Sequence, residues 1–428
     1  MSNPLRLGIA GLGTVGVGVV KIVEMHSERL TARTGKQVII TAVSARNRDK
    51  DRGIDLSAYV WEDDPVALAQ RDDVDVFVEL MGGSDGPAKA STEAALKAGK
   101  DVVTANKAML AHHGQALAEQ AEASNAVIRF EAAVAGGIPV VKALTESLAG
   151  NEFSRIMGVM NGTCNYILTR MENAGLPYDE VFKEADALGF LEADPNLDVG
   201  GIDAGHKLSL LSSIAFGTQV DFDGVKLEGI QRIKIEDIHH AAQMGYRIKL
   251  LGTARMSDKG LEQSMAPCLV PAQSALGQLE GGTNMVVIEG DSVGQIVLRG
   301  AGAGEGPTAS AVMGDICDIA RGLRVTTFGQ PSGTLVKASS AESSSCTPYY
   351  LRVDLLDKPG ALAALTSALG TASVSIDRMR QSQHDEGIAP VLIVTHACTW
   401  EALSKALNSL PETGFVQGQS VALRIEDV

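Results

Sequence analysis

The spacing of apolar residues divides the chain into three regions. In the first, short apolar runs alternate with stretches of helical period. Residues 5–10 (LRLGIA), 38–44 (VIITAVS), 75–81 (DVFVELM) and 101–104 (DVVT) read as strands. Val15, Val19, Val20 and Val23 continue from the first of them as a helix. Residues 88–98 and 110–124 are also helical, the former stopped by Gly99. Such alternation predicts βαβ units around a parallel sheet.

Past 127–131 the alternation fades. Residues 131–139 (EAAVAGGIP) read as a strand end and a small-residue turn with backbone carbonyls facing inward, and 156–168 as strand, polar turn and helix. Between Leu188 and Asp203, Gly189, Pro195, Gly200 and Gly201 break up any regular element. From 204 to 216 a helix follows, with Leu208, Leu211 and Ala215 on one stripe. Residues 225–235, 248–255 and 286–297 read as strands, making an α+β layer. In the third region, 348–428, the pattern is β-α-β-β-α-β, the split βαβ plan. The expectation is an α/β chain in four parts. A Rossmann-type dinucleotide-binding domain spans 1–135, with 300–329 returning to it, and a substrate-binding domain spans 136–299. A Ser- and Gly-containing linker covers 330–347, and a separate ferredoxin-like tail covers 348–428.

Composition narrows the class. The chain has 428 residues, 45% hydrophobic and 21% charged, which fits a soluble protein of two or three domains. A formal charge of −15 argues against nucleic-acid binding through phosphates. No apolar run approaches the roughly 18 residues of a membrane helix. The N-terminal residues lead into a glycine-rich turn and not into a signal peptide. The five cysteines are scattered and never form Cys-x-x-Cys, which points to free thiols and no zinc site. A cytoplasmic enzyme fits these features.

The strongest chemical signal is Gly11-Leu-Gly13-Thr14-Val15-Gly16, set between strand and helix. The first glycine permits a tight turn, the second lets backbone approach a pyrophosphate, and the third lets helix pack on strand. Where an NAD site usually carries an acidic residue after the second strand, this chain has Arg46, suited to a 2′-phosphate. NADP(H) is therefore expected in preference to NAD(H). Lys107 leaves the strand 101–104 at the end that lines a ligand crevice. Gly162 and Thr163 offer backbone donors and a hydroxyl in a polar turn. Cys164 beside them reads as a packing residue and not a nucleophile. Gly302 lies in a second glycine-rich turn entering a helix. Residues 188–207 place Glu192, Asp194, Asp198 and Asp203 ahead of Lys207, with Asp203 and Lys207 on one helix face. On spacing alone, the commoner explanation is a solvated loop and a surface Asp–Lys pair.

Taken together, the glycine fingerprint, 104–107 (TANK), 161–163 (NGT) and the 189–207 block resemble the homoserine dehydrogenase family over residues 1–330. The tail resembles an ACT domain, with Pro359-Gly360 in its turn. The resemblance implies reversible, nicotinamide-dependent reduction of L-aspartate 4-semialdehyde to L-homoserine, on the way to threonine, methionine and isoleucine. It puts Glu192 and Asp198 on the substrate, and Lys107, Lys207 and Asp203 at its reacting end. It also implies a monovalent-cation (Na or K) site along Glu131, Val134, Gly136 and Ile138. Threonine is the implied effector, and a homodimer or homotetramer the implied assembly, because ACT sites are commonly shared between copies. Leu191 and Cys164 depart from the family's usual small residue and Thr. Two rivals stay open: a phosphorylating dehydrogenase acting through Cys164, and a non-catalytic redox or amino-acid sensor.

Overall fold

A computed structural model describes residues 3–191, 194–339, 341, 345–381 and 387–427. Six strands, β1 (Leu5–Ala10), β2 (Val38–Ser44), β3 (Val60–Trp61), β4 (Val76–Glu79), β5 (Asp101–Thr104) and β6 (Ile128–Arg129), form one parallel sheet. Their order is β3-β2-β1-β4-β5-β6, so the direction of winding reverses between β1 and β4. That reversal opens a crevice at the carboxyl ends of those strands. Leu7, Ile9, Val43 and Val78 are buried in the core that includes Val19, Val20 and Ile316, whereas Phe77 and Val102 belong to the larger core on the other side. The helix Glu305–Arg321 brings the chain back to this sheet and packs on the helix Thr14–Met25. Gly18 lets the two approach: a Cβ there would lie 2.9 Å from that of Ala309.

The second sheet contains β7 (Phe153–Val159), β8 (Val225–Leu227), β9 (Tyr246–Ser257), β10 (Gly260–Pro271), β11 (Thr283–Gly290) and β12 (Gly294–Ala301). The tail adds β13 (Tyr349–Leu356), β14 (Ile376–Gln381), β15 (Ile388–Thr395) and β16 (Val421–Ile425). The path runs β12-β11-β7-β9-β10-β16-β13-β15-β14, with β8 also on β10. The helices Gly162–Ala174 and Ile202–Phe216 pack against β9.

Several expectations change. Only the start of 225–235 is a strand. Ile235–Gln243 is a helix that buries Ile238 and Ala241, and Asp237 at its N-terminus accepts from the Lys234 N–H at 3.2 Å. The stretch 286–297 is a hairpin and not one strand, because the turn around Asp291 reverses it. β10 was not anticipated.

The tail keeps its own core around Leu351, Leu365, Ile393 and Leu403. It is nevertheless not a detached unit. β16 pairs in parallel with β10, Cys268 opposite Arg424 and Leu269 opposite Ile425. Two ion pairs cross this seam, the buried Arg352–Asp237 pair at 2.7 Å and the partly buried Arg255–Glu426 pair at 2.7 Å. The stretch 330–347 is likewise docked in part. Ser332 is buried, and Glu122 accepts from its N–H at 2.8 Å and its hydroxyl at 2.6 Å. No helix among the described residues is long and apolar enough to cross a membrane.

Candidate active site

A cleft of about 550 Å³ lies between the two sheets, with the first glycine-rich turn on one side and the 161–163 turn on the other. Its charged floor is centred on Asp203. The Lys207 ammonium donates to Asp203 Oδ2 at 2.6 Å, and the Lys107 ammonium lies 2.9 Å from Oδ1. Lys207 also donates to the Met160 carbonyl at 2.8 Å. Asp203 and Lys207 are 7% and 8% exposed, so the surface-pair explanation fails. Burial alone would raise the Asp203 pKa. The charges of Lys207 and Lys107, with their hydrogen bonds, outweigh it and hold the carboxyl well below the usual range.

Local sequence explains this convergence. Lys107 is the first residue of the helix Lys107–Ala123, whose N-cap, Asn106, accepts from the Met109 N–H at 3.0 Å. The Asn106 N–H in turn donates to Thr104 Oγ1 at 2.9 Å, and that hydroxyl donates to the buried Glu79 carboxylate at 2.6 Å. Lys107 therefore starts from a fixed backbone. On the other wall, Asn161 caps the helix Gly162–Ala174 through Cys164 N–H at 2.8 Å. Its amide nitrogen remains available to donate to Asp198 at 2.9 Å and more weakly to Asp203 at 3.4 Å. Asn161 thus ties the two carboxylates together, a role that spacing gave no sign of.

The acidic loop is also more ordered than its glycines and proline suggest. Pro195–Val199 is a short helix with proline at its first turn, where no N–H is lost. Asp194 caps it by accepting from Asn196 N–H at 3.1 Å. This turn buries Asp198, and Gly201, at φ +80°, then redirects the chain into the helix that carries Asp203 and Lys207. Thr163 lines the cleft, but its hydroxyl donates to the Phe190 carbonyl at 2.9 Å. Gly162 lies against Gly282, whose carbonyl would be 2.6 Å from any added Cβ. Glu192 lies outside the described residues. His206 is buried against Phe222 and His112, and burial, then His112, pushes its pKa down to about 4.

The glycine turn suits a dinucleotide phosphate. A Cβ on Gly11 would lie 2.4 Å from the Leu80 carbonyl oxygen, and one on Gly16 would lie 2.0 Å from that of Gly11. Gly13 faces open space, and as N-cap it supplies no side-chain partner for the N–H groups of Thr14, Val15 and Gly16. Val15 and Gly302 reach the cleft. Arg46 is exposed beyond the end of β2. Arg52, which the sequence pattern did not single out, donates to the Leu12 carbonyl at 3.2 Å beside the same turn.

At the 131–138 loop, Ala135 and Gly136 both have positive φ, +55° and +56°, turning successive carbonyls. Val134 and Ile138 are buried. The Glu131 carboxylate accepts from Val141 and Lys142 N–H at 2.9 and 2.8 Å. Burial, then Asp315, raises its pKa to about 7. Among the described residues, no three His, Cys, Asp or Glu side chains are grouped to hold a metal. The donors present for a cation are therefore chiefly backbone carbonyls.

Family profiles cover most of the chain. Residues 11–131 match the homoserine dehydrogenase NAD-binding domain, 139–317 homoserine dehydrogenase, and 349–411 the ACT domain. The homoserine dehydrogenase of Neisseria gonorrhoeae is 40% identical over 100% of this chain and 99% of its own length. The chain belongs to the homoserine dehydrogenase family. That of Bacillus subtilis is 36% identical over 99% of this chain and 98% of the relative. Among solved structures, the homoserine dehydrogenase of Thiobacillus denitrificans superposes with a TM-score of 0.94 at 37% identity, covering 99% and 98% of the two chains. A hyperthermophilic archaeal homoserine dehydrogenase mutant in complex with NADPH covers 76% of this chain and 99% of its own, with a TM-score of 0.65 and 26% identity.

Homoserine dehydrogenase chemistry needs no thiol nucleophile, and Cys164 does not offer one. Cys164 is fully buried and its Sγ donates to the Asp198 carbonyl at 3.3 Å. Burial, followed by Asp198, raises its pKa well above the usual thiol value. The rival built on this cysteine loses its support.

Proposed function

We propose that the chain reduces L-aspartate 4-semialdehyde reversibly to L-homoserine, preferring NADPH to NADH. The observation that carries the reading is the buried Lys107–Asp203–Lys207 cluster in a cleft that also meets the glycine turn. The cofactor, when bound, supplies a hydride to the aldehyde carbon, and the carbonyl electron pair moves to oxygen. Lys207 gives that oxygen a proton and so completes the hydroxyl. Asp203, kept ionised by the two ammonium groups, orients Lys207, while Lys107 adds positive charge near the reacting carbonyl. Asp198 and Glu192 hold the α-ammonium or hydroxyl end of the substrate, with Gly162 and Thr163 beside it.

Gly11, Gly13, Thr14, Val15 and Gly16 hold the cofactor's phosphates, with Lys107 and Gly302 also at the cofactor. Arg46 pairs with the 2′-phosphate. The archaeal relative in complex with NADPH supports NADP(H) as a cofactor that this fold takes. Replacing Arg46 with Ala should raise the KM for NADPH about tenfold and leave that for NADH nearly unchanged, since only one carries the group Arg46 would grip. Equal effects on both cofactors would remove the assignment.

A monovalent cation, Na or K, binds the carbonyls of Glu131, Val134, Gly136 and Ile138. The tail binds an amino-acid effector, with threonine the first candidate, in a cytoplasmic homodimer or homotetramer. The deciding experiment is NADPH and NADH oxidation with aspartate semialdehyde, with and without threonine. No oxidation would return the sensor reading to favour. Oxidation indifferent to threonine would remove only the effector. The whole chain is the proper sample, because β16 completes its pairing only against β10.

A further inference from the structure

Asn284 lies on β11, is 1% exposed, and borders the same cleft as Lys107 and Lys207. Its side-chain oxygen has no hydrogen-bond partner among the described residues. A buried amide acceptor left unsatisfied is uncommon and destabilising, and a ligand group is one of its few ordinary explanations. Room for this amide is built in. Gly302 faces it so closely that a Cβ there would lie 2.1 Å from the amide nitrogen. Gly136 packs on Gly302 in turn, its own would-be Cβ 2.4 Å from the Gly302 carbonyl oxygen. Two glycines therefore hold backbone away from, and then behind, one unpartnered amide.

We propose that Asn284 binds the carboxamide of the nicotinamide ring and so sets which face and edge of the ring meets the substrate. A side-chain amide carries donor and acceptor on one planar group, and a carboxamide presents the complementary pair. The other polar end of the reaction, the amino-acid head of the substrate, already has the acidic residue Asp198 and the 161–163 turn. Which end of the Asn284 amide is oxygen follows the ligand, since the two are interchangeable by a flip. Asn284 is then a binding residue of the cofactor site that neither the glycine fingerprint nor Arg46 accounts for.

This inference rests on the dehydrogenase reading, so it is tested by binding without turnover. NADP+ and its 3-acetylpyridine analogue, which replaces the carboxamide NH2 by methyl, are titrated into the whole chain and into Asn284→Ala and Asn284→Ser. The parent should bind the analogue about tenfold more weakly, the scale of one or two neutral hydrogen bonds, and both variants should lose most of that discrimination. Gly302→Ala, which drives a methyl into the amide, should do the same. Melting curves of each variant show that it is folded. Undiminished discrimination in folded variants would overturn the proposal. So would a defect confined to homoserine binding, which would assign the amide to the substrate instead. Failure of the parent to bind any nicotinamide dinucleotide would overturn the dehydrogenase reading itself.

Discussion

Lys207→Ala should lower kcat for semialdehyde reduction by about a thousandfold while changing the substrate KM less than about threefold. The asymmetry follows from where the ammonium acts. In the ground state the aldehyde oxygen is neutral and gains little from it. As hydride arrives, that oxygen becomes an alkoxide and needs both a nearby positive charge and a proton. Lys207 is held for this by two acceptors, Asp203 and the Met160 carbonyl, and its side chain, 10% exposed, has little freedom to move. Lys107 is the control. Its side chain is 30% exposed and contacts the same carboxylate, so Lys107→Ala should cost less in kcat and more in KM. If Lys107→Ala abolishes turnover while Lys207→Ala spares it, the two roles are exchanged. If KM rises for Lys207→Ala with kcat intact, the residue is a binding group only.

Much of the scaffold for this chemistry was legible in the sequence, for reasons visible in particular residues. The segments 5–10 and 38–44 are continuous apolar runs, as strands covered on both faces must be, and each was placed correctly. The split βαβ order of the tail was equally legible, because strand and helix periods switch at clear turns. The hairpin at 283–301 was not, since apolar residues continue across its turn and only Asp291 and Gly294 mark the reversal. Fusion of the tail to the second sheet had no local sign at all. It depends on which edge of β10 is left open, and the pairing joins positions 268 and 424.

The cluster itself divides in the same way. Asp203 and Lys207 are neighbours on one helix, so their pairing follows from an interval of four residues. The approach of Lys107, nearly a hundred positions away in sequence, was anticipated only through strand topology and family resemblance. Asn161 and Asn284 carry no signature, because an asparagine's role is decided by where its amide ends up. Asp194 was legible only in hindsight: an aspartate before proline is an ordinary helix start, but a five-residue helix is too short to show periodicity.

Asp203→Asn separates orientation from proton donation. The substitution keeps the side chain's shape and removes a charge that contacts both ammonium groups. Lys207 and Lys107 then sit close together in a buried site, where like charges and low polarity favour loss of a proton. The alkaline limb of the kcat/KM profile should therefore move to lower pH, and activity at neutral pH should fall about a hundredfold, with partial recovery on acidification. Stability gives an independent reading. The folded Asp203 pKa is depressed below that of an unfolded carboxyl near 3.8, so its contribution is complete above that value and disappears as pH falls through the folded one. At neutral pH the variant should lose about 3 kcal/mol, the usual scale for breaking a buried pair, and the gap to the parent should narrow below about pH 4. A variant with an unshifted alkaline limb would mean that Asp203 does not govern the charge of Lys207. The catalytic proton would then have to come from a lysine that holds its charge without it.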